Sequence, residues 1–315
     1  MSPSLSRRIA RALLEALLTL WLLATLCFVL LHAAPGGPFD AEKAAPPEVQ
    51  AALAAQYRLD RPLPSQYIHW LGDLARGDLG PSFQYPDYRV SELIALGLPV
   101  SALCGGIALV LALGIGIPLG LSAALRRGTL LDRALMGLSG LGLAMPKFVV
   151  APLLVLVFAV GLHWLPGGGW DPSTPWTTLR SAILPAIALA LPNLAYCARI
   201  SRAGFIDALS SDYVRAARAR GFSDARIVLV HALPPALMPV LAWLGPALIN
   251  IVSGSAVVEQ VFGIPGMGRY FVQGALNRDY TLVLGVVLVV GALIVAINAT
   301  TDALRAWIDP RLREG

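Results

Sequence analysis

Charged residues are scarce in this chain, and lysine is the scarcest of them. Asp, Glu, Lys and Arg make up 14% of the 315 residues, whereas soluble globular proteins carry about 25%. Lys43 and Lys147 are the only lysines. The sequence also lacks a GxxxxGK segment followed by Ser or Thr, the loop with which proteins cradle nucleotide phosphates. The composition therefore argues against a soluble globular protein, and we expect no nucleotide site built by this chain.

The residue types that most often carry catalysis or bind metals are few and dispersed. The histidines lie in different segments, without the HExxH spacing of a zinc site: His32, His69, His163 and His231. The hydrophobic runs contain no pair of carboxylates. Each cysteine falls within a hydrophobic run, which favours small core residues over a disulfide framework: Cys27, Cys104 and Cys197. We therefore predict a non-enzymatic chain that binds neither metal nor cofactor.

Hydrophobic residues are abundant instead, at 57% of the chain with a mean hydropathy of +0.69. They gather into runs that reach the roughly 20 residues needed for a helix to cross a bilayer. Six such spans are predicted, at residues 9–31, 98–125, 135–162, 182–203, 236–258 and 281–307. The predicted fold class is therefore an all-α polytopic membrane protein with six transmembrane helices.

The first span has some features of a secretory signal peptide. Arginines precede it and small residues follow it: Arg7, Arg8, Arg11, Ala33 and Ala34. However, its apolar region at 13–31 is longer than the roughly 7–15 residues of a signal-peptide core. We interpret residues 1–32 as an N-terminal membrane anchor, with a cleaved signal as the alternative.

The distribution of arginines indicates the orientation, because cytoplasmic loops are enriched in Lys and Arg. With the N-terminus inside, most basic residues fall in cytoplasmic segments: Arg7, Arg8, Arg11, Arg126, Arg127, Arg133, Arg199, Arg202, Arg215, Arg218, Arg220, Arg226, Arg305, Arg311 and Arg313. Fewer basic residues fall outside. Most of those lie in the long segment 33–97, and long loops contribute little to the relation between charge and orientation. We predict that both termini are cytoplasmic.

The outer segment 33–97 has the pattern of a small helical subdomain. Val49, Leu53 and Tyr57 follow prolines at helical spacing, which predicts a first amphipathic helix. A second helix is predicted with Ser65 as its N-cap and Gly77 as its stop. This periplasmic subdomain either shields the ends of the spans or docks a partner, and the pattern does not choose between the two.

Several spans contain proline and glycine, which suit either a bundle that bends during transport or ordinary close packing of helices. Lys147, directly after Pro146, is the only basic residue well inside a span. An ion-coupled transporter usually keeps ionisable residues at mid-membrane. The acidic residues Glu259 and Asp302 lie near span ends, so this alternative lacks the mid-membrane carboxylate that it needs.

A basic, alanine-rich stretch separates the fourth span from the fifth. Ser211 is placed to cap a helix that begins at Asp212, and Gly221 is placed to end it in a left-handed conformation. Ser223 then caps a second helix that runs to Leu233, ahead of Pro234. Small alanines leave little bulk on this turn, so it suits a knob that fits a cleft in another protein. A basic helix lying on the membrane surface is the alternative.

The spacing within this stretch resembles the cytoplasmic motif of bacterial ABC-importer permeases. The alanine pair, the glycine four residues later and the Leu-Pro pair all match. The resemblance implies a coupling helix seated on an ATP-hydrolysing subunit, carried by Asp212, Tyr213, Arg215, Ala216, Ala217, Arg218, Gly221, Leu233 and Pro234. Arg215 replaces the usual leading acidic residue, as in the peptide and nickel branch, and His231 replaces a branched apolar residue.

The resemblance to the oligopeptide permeases of this branch extends over nearly the whole chain. It rests on the segments APGGPF, GDLGPSF, LHWLPGGGW, FGIPGMG, NRDY and IDPRLRE. It implies a permease core at 98–315, with a coupling region at 205–235, in the bacterial inner membrane. Dipeptide and nickel permeases share the coupling motif and remain alternatives.

Partners follow from the same resemblance. It implies a second homologous permease, two ATPase subunits that use ATP and Mg, and an extracytoplasmic peptide-binding protein, with no nucleic acid. Outer-loop residues would face the binding protein: Trp170, Gly263, Pro265, Gly266, Asn277 and Asp279. For the tryptophans, an ordinary aromatic belt at the membrane interface is the alternative.

Overall fold

The structure, a computed structural model, describes residues 3–33 and 58–308. Its helices are α1 (Pro3–Ala33), α2 (Leu63–Ala75), α3 (Val90–Leu125), α4 (Leu130–Ala144), α5 (Lys147–Leu154), α6 (Pro175–Ser210), α7 (Asp212–Ala219), α8 (Asp224–Arg226), α9 (Leu233–Phe262), α10 (Met267–Leu276) and α11 (Tyr280–Ile308). Two π-helical segments, Val155–Gly161 and Ile227–Ala232, extend α5 and join α8 to α9. In these ranges the only β-type pairing is a single bridge between Pro81 and Arg89. The predicted all-α class is confirmed.

Five helical segments are long and apolar enough to cross a membrane: Ala10–Ala33, Val90–Leu125, Pro175–Ser210, Asp224–Phe262 and Tyr280–Ala303. The third predicted span is interrupted, since α4 and the α5 segment meet at a bend of 104°, the geometry of a broken span or a re-entrant loop. Met145 is extended there, with φ −81° and ψ 120°. Proline disfavours the helical conformation in the residue before it, so Pro146 accounts for the break.

The chain forms two compact units, and α3 and α11 each run from the first unit into the second. The first unit comprises Met1–Pro99 and Pro265–Val295. Its apolar core contains Val90, Leu93, Ile94, Met267, Leu282 and Val286. Gly97 permits close packing here, because a Cβ at this position would lie 3.0 Å from the backbone nitrogen of Met267.

The helices predicted for the segment 33–97 differ from their expected form in one respect. The predicted first helix lies almost wholly outside the described residues. The second is α2, but its N-cap is Pro62 and no side chain caps it. Ser65 lies within the first turn, and its amide donates to the Pro62 carbonyl at 2.9 Å, so the prediction of a Ser65 cap is wrong. Proline is tolerated in a first turn, which lets the helix begin earlier. Gly77 has φ +79° just beyond the helix, as predicted.

The second unit comprises Val100–Ile264 and Ala296–Gly315, and small residues bring its helices close together. A Cβ on Gly120 would lie 2.5 Å from the carbonyl oxygen of Ala198. A Cβ on Gly204 would overlap the carbonyl of Ala236. These glycines therefore serve close contacts of α3 with α6 and of α6 with α9. Pro185 and Pro192 lie inside α6 without ending it.

Candidate coupling site

The stretch between the fourth and fifth spans forms a helical hairpin, α7 followed by α8, and its turn is as predicted. Gly221 adopts φ +75°, and its amide donates to the Arg218 carbonyl at 2.9 Å. Ser211 precedes α7 in an extended conformation but does not cap it with its side chain. Its hydroxyl instead donates to the Ala208 carbonyl at 2.6 Å. Ser211 thus ends α6, and the predicted capping hydrogen bond is not formed.

One face of α7 packs inside the hairpin. Val214, Ala217 and Ile227 form a buried cluster, and Phe222 packs against it. Ala217 is only 4% exposed. The sequence predicts that both alanines of the pair lie on the exposed surface of the turn. The structure buries Ala217, because its position in the helical period places it on the side of α7 that faces α8. Its contribution is to hold the two helices together.

The opposite face of α7 is open and basic. The other predicted coupling residues on it are all exposed: Asp212, Tyr213, Arg215, Ala216 and Arg218. Arg215 pairs with Asp212 one turn earlier, so the leading basic residue is partly neutralised within the helix. Exposed pairs of this kind contribute little to stability. The face is therefore available for contact with another molecule.

The second helix does not end before Pro234 as predicted. It continues from α8 through the π-helical segment into α9, so that Asp224–Phe262 is one helical segment. Pro234 is the second residue of α9 and directly follows the π-helical segment Ile227–Ala232, and the helix continues through it. Leu233 packs against the cluster of Ala124, Phe205, Ala208, Ala232 and Ala236. The hairpin is thereby joined to a spanning helix without a flexible linker.

His231 stacks on the aromatic ring of the hairpin. Its ring lies 5.5 Å from that of Phe222, nearly parallel, and the Arg226 guanidinium lies 4.5 Å from the centroid of the same Phe222 ring. The Nε2 atom of His231 is buried and has no hydrogen-bond partner. The histidine thus fills, by stacking, the place that a branched apolar residue takes in the resembling motif.

The predicted outer-loop residues differ in exposure. In the second unit, Trp170 is half-buried against the core, whereas Gly263 is exposed and caps α9 with φ +63°. Beside Trp170, hydrogen bonds from the hydroxyl and amide of Ser173 lower the pKa of Asp171 and so stabilise its ionised form. In the first unit, Pro265 is half-buried, Gly266 is buried and Asn277 is exposed.

Asp279 is fully buried, so it does not face the outside as predicted. One carboxylate oxygen accepts hydrogen bonds from the Ser82 hydroxyl at 2.5 Å and from the amides of Phe83 and Gln84 at 2.9 and 3.0 Å. The other accepts from the Leu282 amide at 3.0 Å and so caps α11. Asp279 therefore fixes the loop at residues 82–84 to the start of α11.

Three polar pairs that join helices of the second unit were not predicted. Arg202 binds Asp132 through two hydrogen bonds of 2.6 and 2.7 Å. Ser101 donates to the fully buried Glu259 at 2.6 Å. Lys147 donates to the side chain of Asn250. Only the rarity of charge in the hydrophobic runs signals these positions in the sequence, and it does not identify their partners.

The fold and the hairpin define the class of protein: a helical membrane protein with several spans. Residues 116–314 match the family described as "Binding-protein-dependent transport system inner membrane component", and the chain belongs to this family. The oligopeptide transport system permease protein OppB of Escherichia coli strain K12 is 49% identical, over 97% of this chain and 98% of the relative. The dipeptide transport system permease protein DppB of Bacillus subtilis strain 168 is 39% identical, over 94% of each.

A solved structure supports the same fold. The inward-facing MetNI methionine ABC transporter is similar to 70% of this chain and 97% of its own chain, with a TM-score of 0.56 and 20% identity. At this identity the likeness concerns the fold alone. Together these findings confirm the predicted resemblance: the chain is an inner-membrane permease of the ABC-importer type.

Proposed function

We propose that this chain is the membrane-spanning subunit of an ATP-driven importer of oligopeptides and forms half of its translocation pathway. The observation that carries the proposal is the 49% identity to the OppB permease over nearly the full length of both chains. The identity to the dipeptide permease DppB is lower, at 39%, which favours oligopeptides over dipeptides.

The proposal assigns a partner to each side of the membrane. On the cytoplasmic side, the exposed face of α7 is seated on one of two ATPase subunits, which bind ATP and Mg. On the outer side, the loops that contain Trp170, Gly263 and Asn277 meet a peptide-binding protein, and a second homologous permease completes the pathway. The arginine distribution supports this orientation, with both termini in the cytoplasm.

The continuity of the hairpin with α9 supports a mechanism of alternating access. When ATP brings the ATPase subunits together, they move α7. Because Ala217 and Ile227 pack α7 against the start of the Asp224–Phe262 segment, that movement passes to the spanning helix directly. The bend at Pro146 gives the neighbouring interrupted span a place to adjust. Peptide then enters from outside and leaves inward as the two states alternate.

Peptide uptake tests the substrate. Deletion of the gene should confer resistance to toxic tri- to pentapeptide mimics and abolish growth on such peptides as the only amino-acid source. Uptake should require ATP and persist when the proton gradient is dissipated. Unchanged peptide uptake with loss of nickel uptake would contradict the proposal and favour the nickel branch. Dependence on the gradient alone would favour an ion-coupled transporter.

A further inference from the structure

The bend between α4 and α5 places the ammonium group of Lys147 against α9. Lys147 is the first residue of α5. Its Nζ donates to the side-chain oxygen of Asn250 at 2.8 Å and to the backbone carbonyl of Asn250 at 3.2 Å. Gly254 lies one turn further along α9, and a Cβ at that position would overlap Nζ. The ammonium thus occupies a notch that exists because residue 254 has no side chain.

This notch lies deep within a spanning helix. Asn250 is twelve residues before Phe262, the last residue of α9, and seventeen residues after Leu233, the first. At 1.5 Å per residue, these separations correspond to about 18 Å and about 26 Å along the helix axis. Asn250 also lies inside the apolar run predicted as the fifth span. Lys147 therefore carries its charge far from either end of the helix it contacts.

The charge has no counter-ion within residues 3–33 and 58–308. Neither contact of Nζ is with a carboxylate, and no ion pair found in these ranges includes Lys147. Glu259, the acidic residue further along α9, is fully buried and accepts a hydrogen bond from Ser101. An ammonium has three N–H groups, and the two acceptors on Asn250 leave one N–H available.

The surface around the notch is polar and open. Asn250 and Ser253 are exposed in this chain, and Lys147 is half-buried. The Ser253 hydroxyl donates to the same Asn250 carbonyl, at 3.4 Å. A charged group and two polar side chains at this depth are costly against lipid and normally face a water-filled cavity or a partner. This face of α9 therefore belongs to the interior of the assembled transporter.

We propose that Lys147 binds the carboxylate of the peptide as it passes the middle of the membrane. This inference rests on the proposed function. Every linear peptide ends in a carboxylate, so a cationic contact serves peptides regardless of sequence. Asn250 and Gly254 act as positioning residues, which hold the ammonium at one place on the pathway wall. Lys147 is then a substrate-binding residue for a chemical group that all the substrates share.

Paired peptides test the inference in the complete importer, reconstituted in proteoliposomes with its partner subunits. Transport of trialanine is compared with that of trialanine amide. Each variant's rate is divided by the wild-type rate for the same peptide, so that any preference of the binding protein for one peptide cancels. Lys147→Gln should lower trialanine transport about tenfold, the loss expected for one hydrogen bond to a charged group, and amide transport much less. Lys147→Arg keeps the charge and should retain most trialanine transport.

A thiol probe tests the same charge without the binding protein. Ser253→Cys is introduced into the assembled complex after replacement of Cys27, Cys104 and Cys197. An anionic methanethiosulfonate should react faster than a cationic one, and Lys147→Gln should lower this ratio by at least about threefold. Gly254→Ala, which displaces the ammonium without removing it, should give a smaller change.

The outcomes separate this inference from the proposed function. If Lys147→Gln lowers transport of both peptides equally, or leaves the thiol ratio unchanged, the ammonium is neutralised by a partner subunit or lies off the pathway, and the inference is wrong. If the wild-type complex transports neither peptide while the thiol ratio behaves as expected, the proposed substrate is wrong and the cationic site remains. If the wild-type complex transports trialanine but not trialanine amide, the two peptides cannot be compared. The thiol ratio of wild type and Lys147→Gln then tests the inference by itself.

Discussion

Two single carboxylates, Glu259 and Asp279, show how this fold accommodates charge away from water. Both are fully buried. A buried charge is tolerated only when hydrogen bonds replace its hydration. Ser101 supplies one to Glu259 at 2.6 Å, and a set of amides and hydroxyls surrounds Asp279. These residues therefore maintain local structure, and the exposed positions around them are left to meet partners.

Asp279→Asn tests that structural role. The Phe83 and Gln84 amides both donate to one oxygen of Asp279, and an asparagine cannot accept as many hydrogen bonds. The variant should lose about 1–3 kcal/mol of stability, the cost of leaving buried donors unsatisfied. Thermal unfolding in detergent measures this. Asn277→Ala, at an exposed neighbouring position, is the control and should unfold like wild type. Equal midpoints for Asp279→Asn and wild type would contradict the assigned role.

For single residues, the sequence predicts chemical and conformational character better than it predicts which side chains are in contact. It marks Lys147 as an unusual charge and Gly221 as a left-handed turn, because each follows from the residue type alone. It cannot show that Ser82 binds Asp279, since these residues are 197 positions apart. The resemblance also implies that Asp279 faces the binding protein, whereas the structure buries it. Burial depends on tertiary packing, which no local pattern contains.

Among the helical elements, the α7–α8 hairpin could be predicted in outline but not at its caps or its exit. Asp212 and Gly221 mark its start and its turn as predicted, whereas neither Ser211 nor Ser223 caps a helix with its side chain. The prediction that it ends before Pro234 is wrong, because proline both ends helices and begins them. Whether Pro234 ends one helix or begins the next depends on the packing of Leu233 and on the π-helical segment, neither of which is visible in the sequence. The resulting continuity with α9 is what makes the hairpin a candidate for transmitting force.

Gly221 provides a matched test of docking on this hairpin. No atom lies within 4 Å of a Cβ at this position, so neither Asp nor Asn meets a steric clash. Both residue types visit the left-handed region more readily than most, so the pair differs mainly in charge. Gly221→Asp should lower peptide-stimulated ATP hydrolysis of the reconstituted complex well below that of Gly221→Asn. Equal hydrolysis by both variants, with the ATPase subunits still bound, would contradict docking at this turn.

The ion pair between α4 and α6 tests how these elements are held together. The Asp132 side chain is 5% exposed and that of Arg202 is 27% exposed, with two hydrogen bonds between them. A double-mutant cycle with Asp132→Asn and Arg202→Gln should give a coupling energy clearly above that of the exposed pair Arg11 and Glu15, for which about 0.2–1 kcal/mol is typical. Thermal unfolding of the single and double variants supplies the four values. A coupling no larger than that of the surface pair would show that solvent already screens the interaction.

For the whole molecule, the hydrophobic runs predict the spans and the arginines predict the orientation. The thickness of the bilayer sets the length of a spanning helix, so the length of each run identifies a span. All six predicted spans have helical counterparts. The 104° break in the third span lies within a continuous hydrophobic run, so length alone does not reveal it. The side on which each loop lies rests on the arginines, and it is the basis of the proposed coupling to an ATPase.

Cysteine labelling tests that orientation. In a background without native cysteines, single cysteines are placed at Asp87, Thr174 and Ser223, all of which are exposed. Ser82 is unsuitable because it is fully buried and bonded to Asp279. An impermeant thiol reagent added to intact cells should label positions 87 and 174, since the arginine distribution places both outside. Position 223 should react only after permeabilisation, which also serves as the control for reactivity. Labelling of position 223 in intact cells would place α7 on the outer surface, where no ATPase could reach it, and would overturn the orientation and the coupling proposal together.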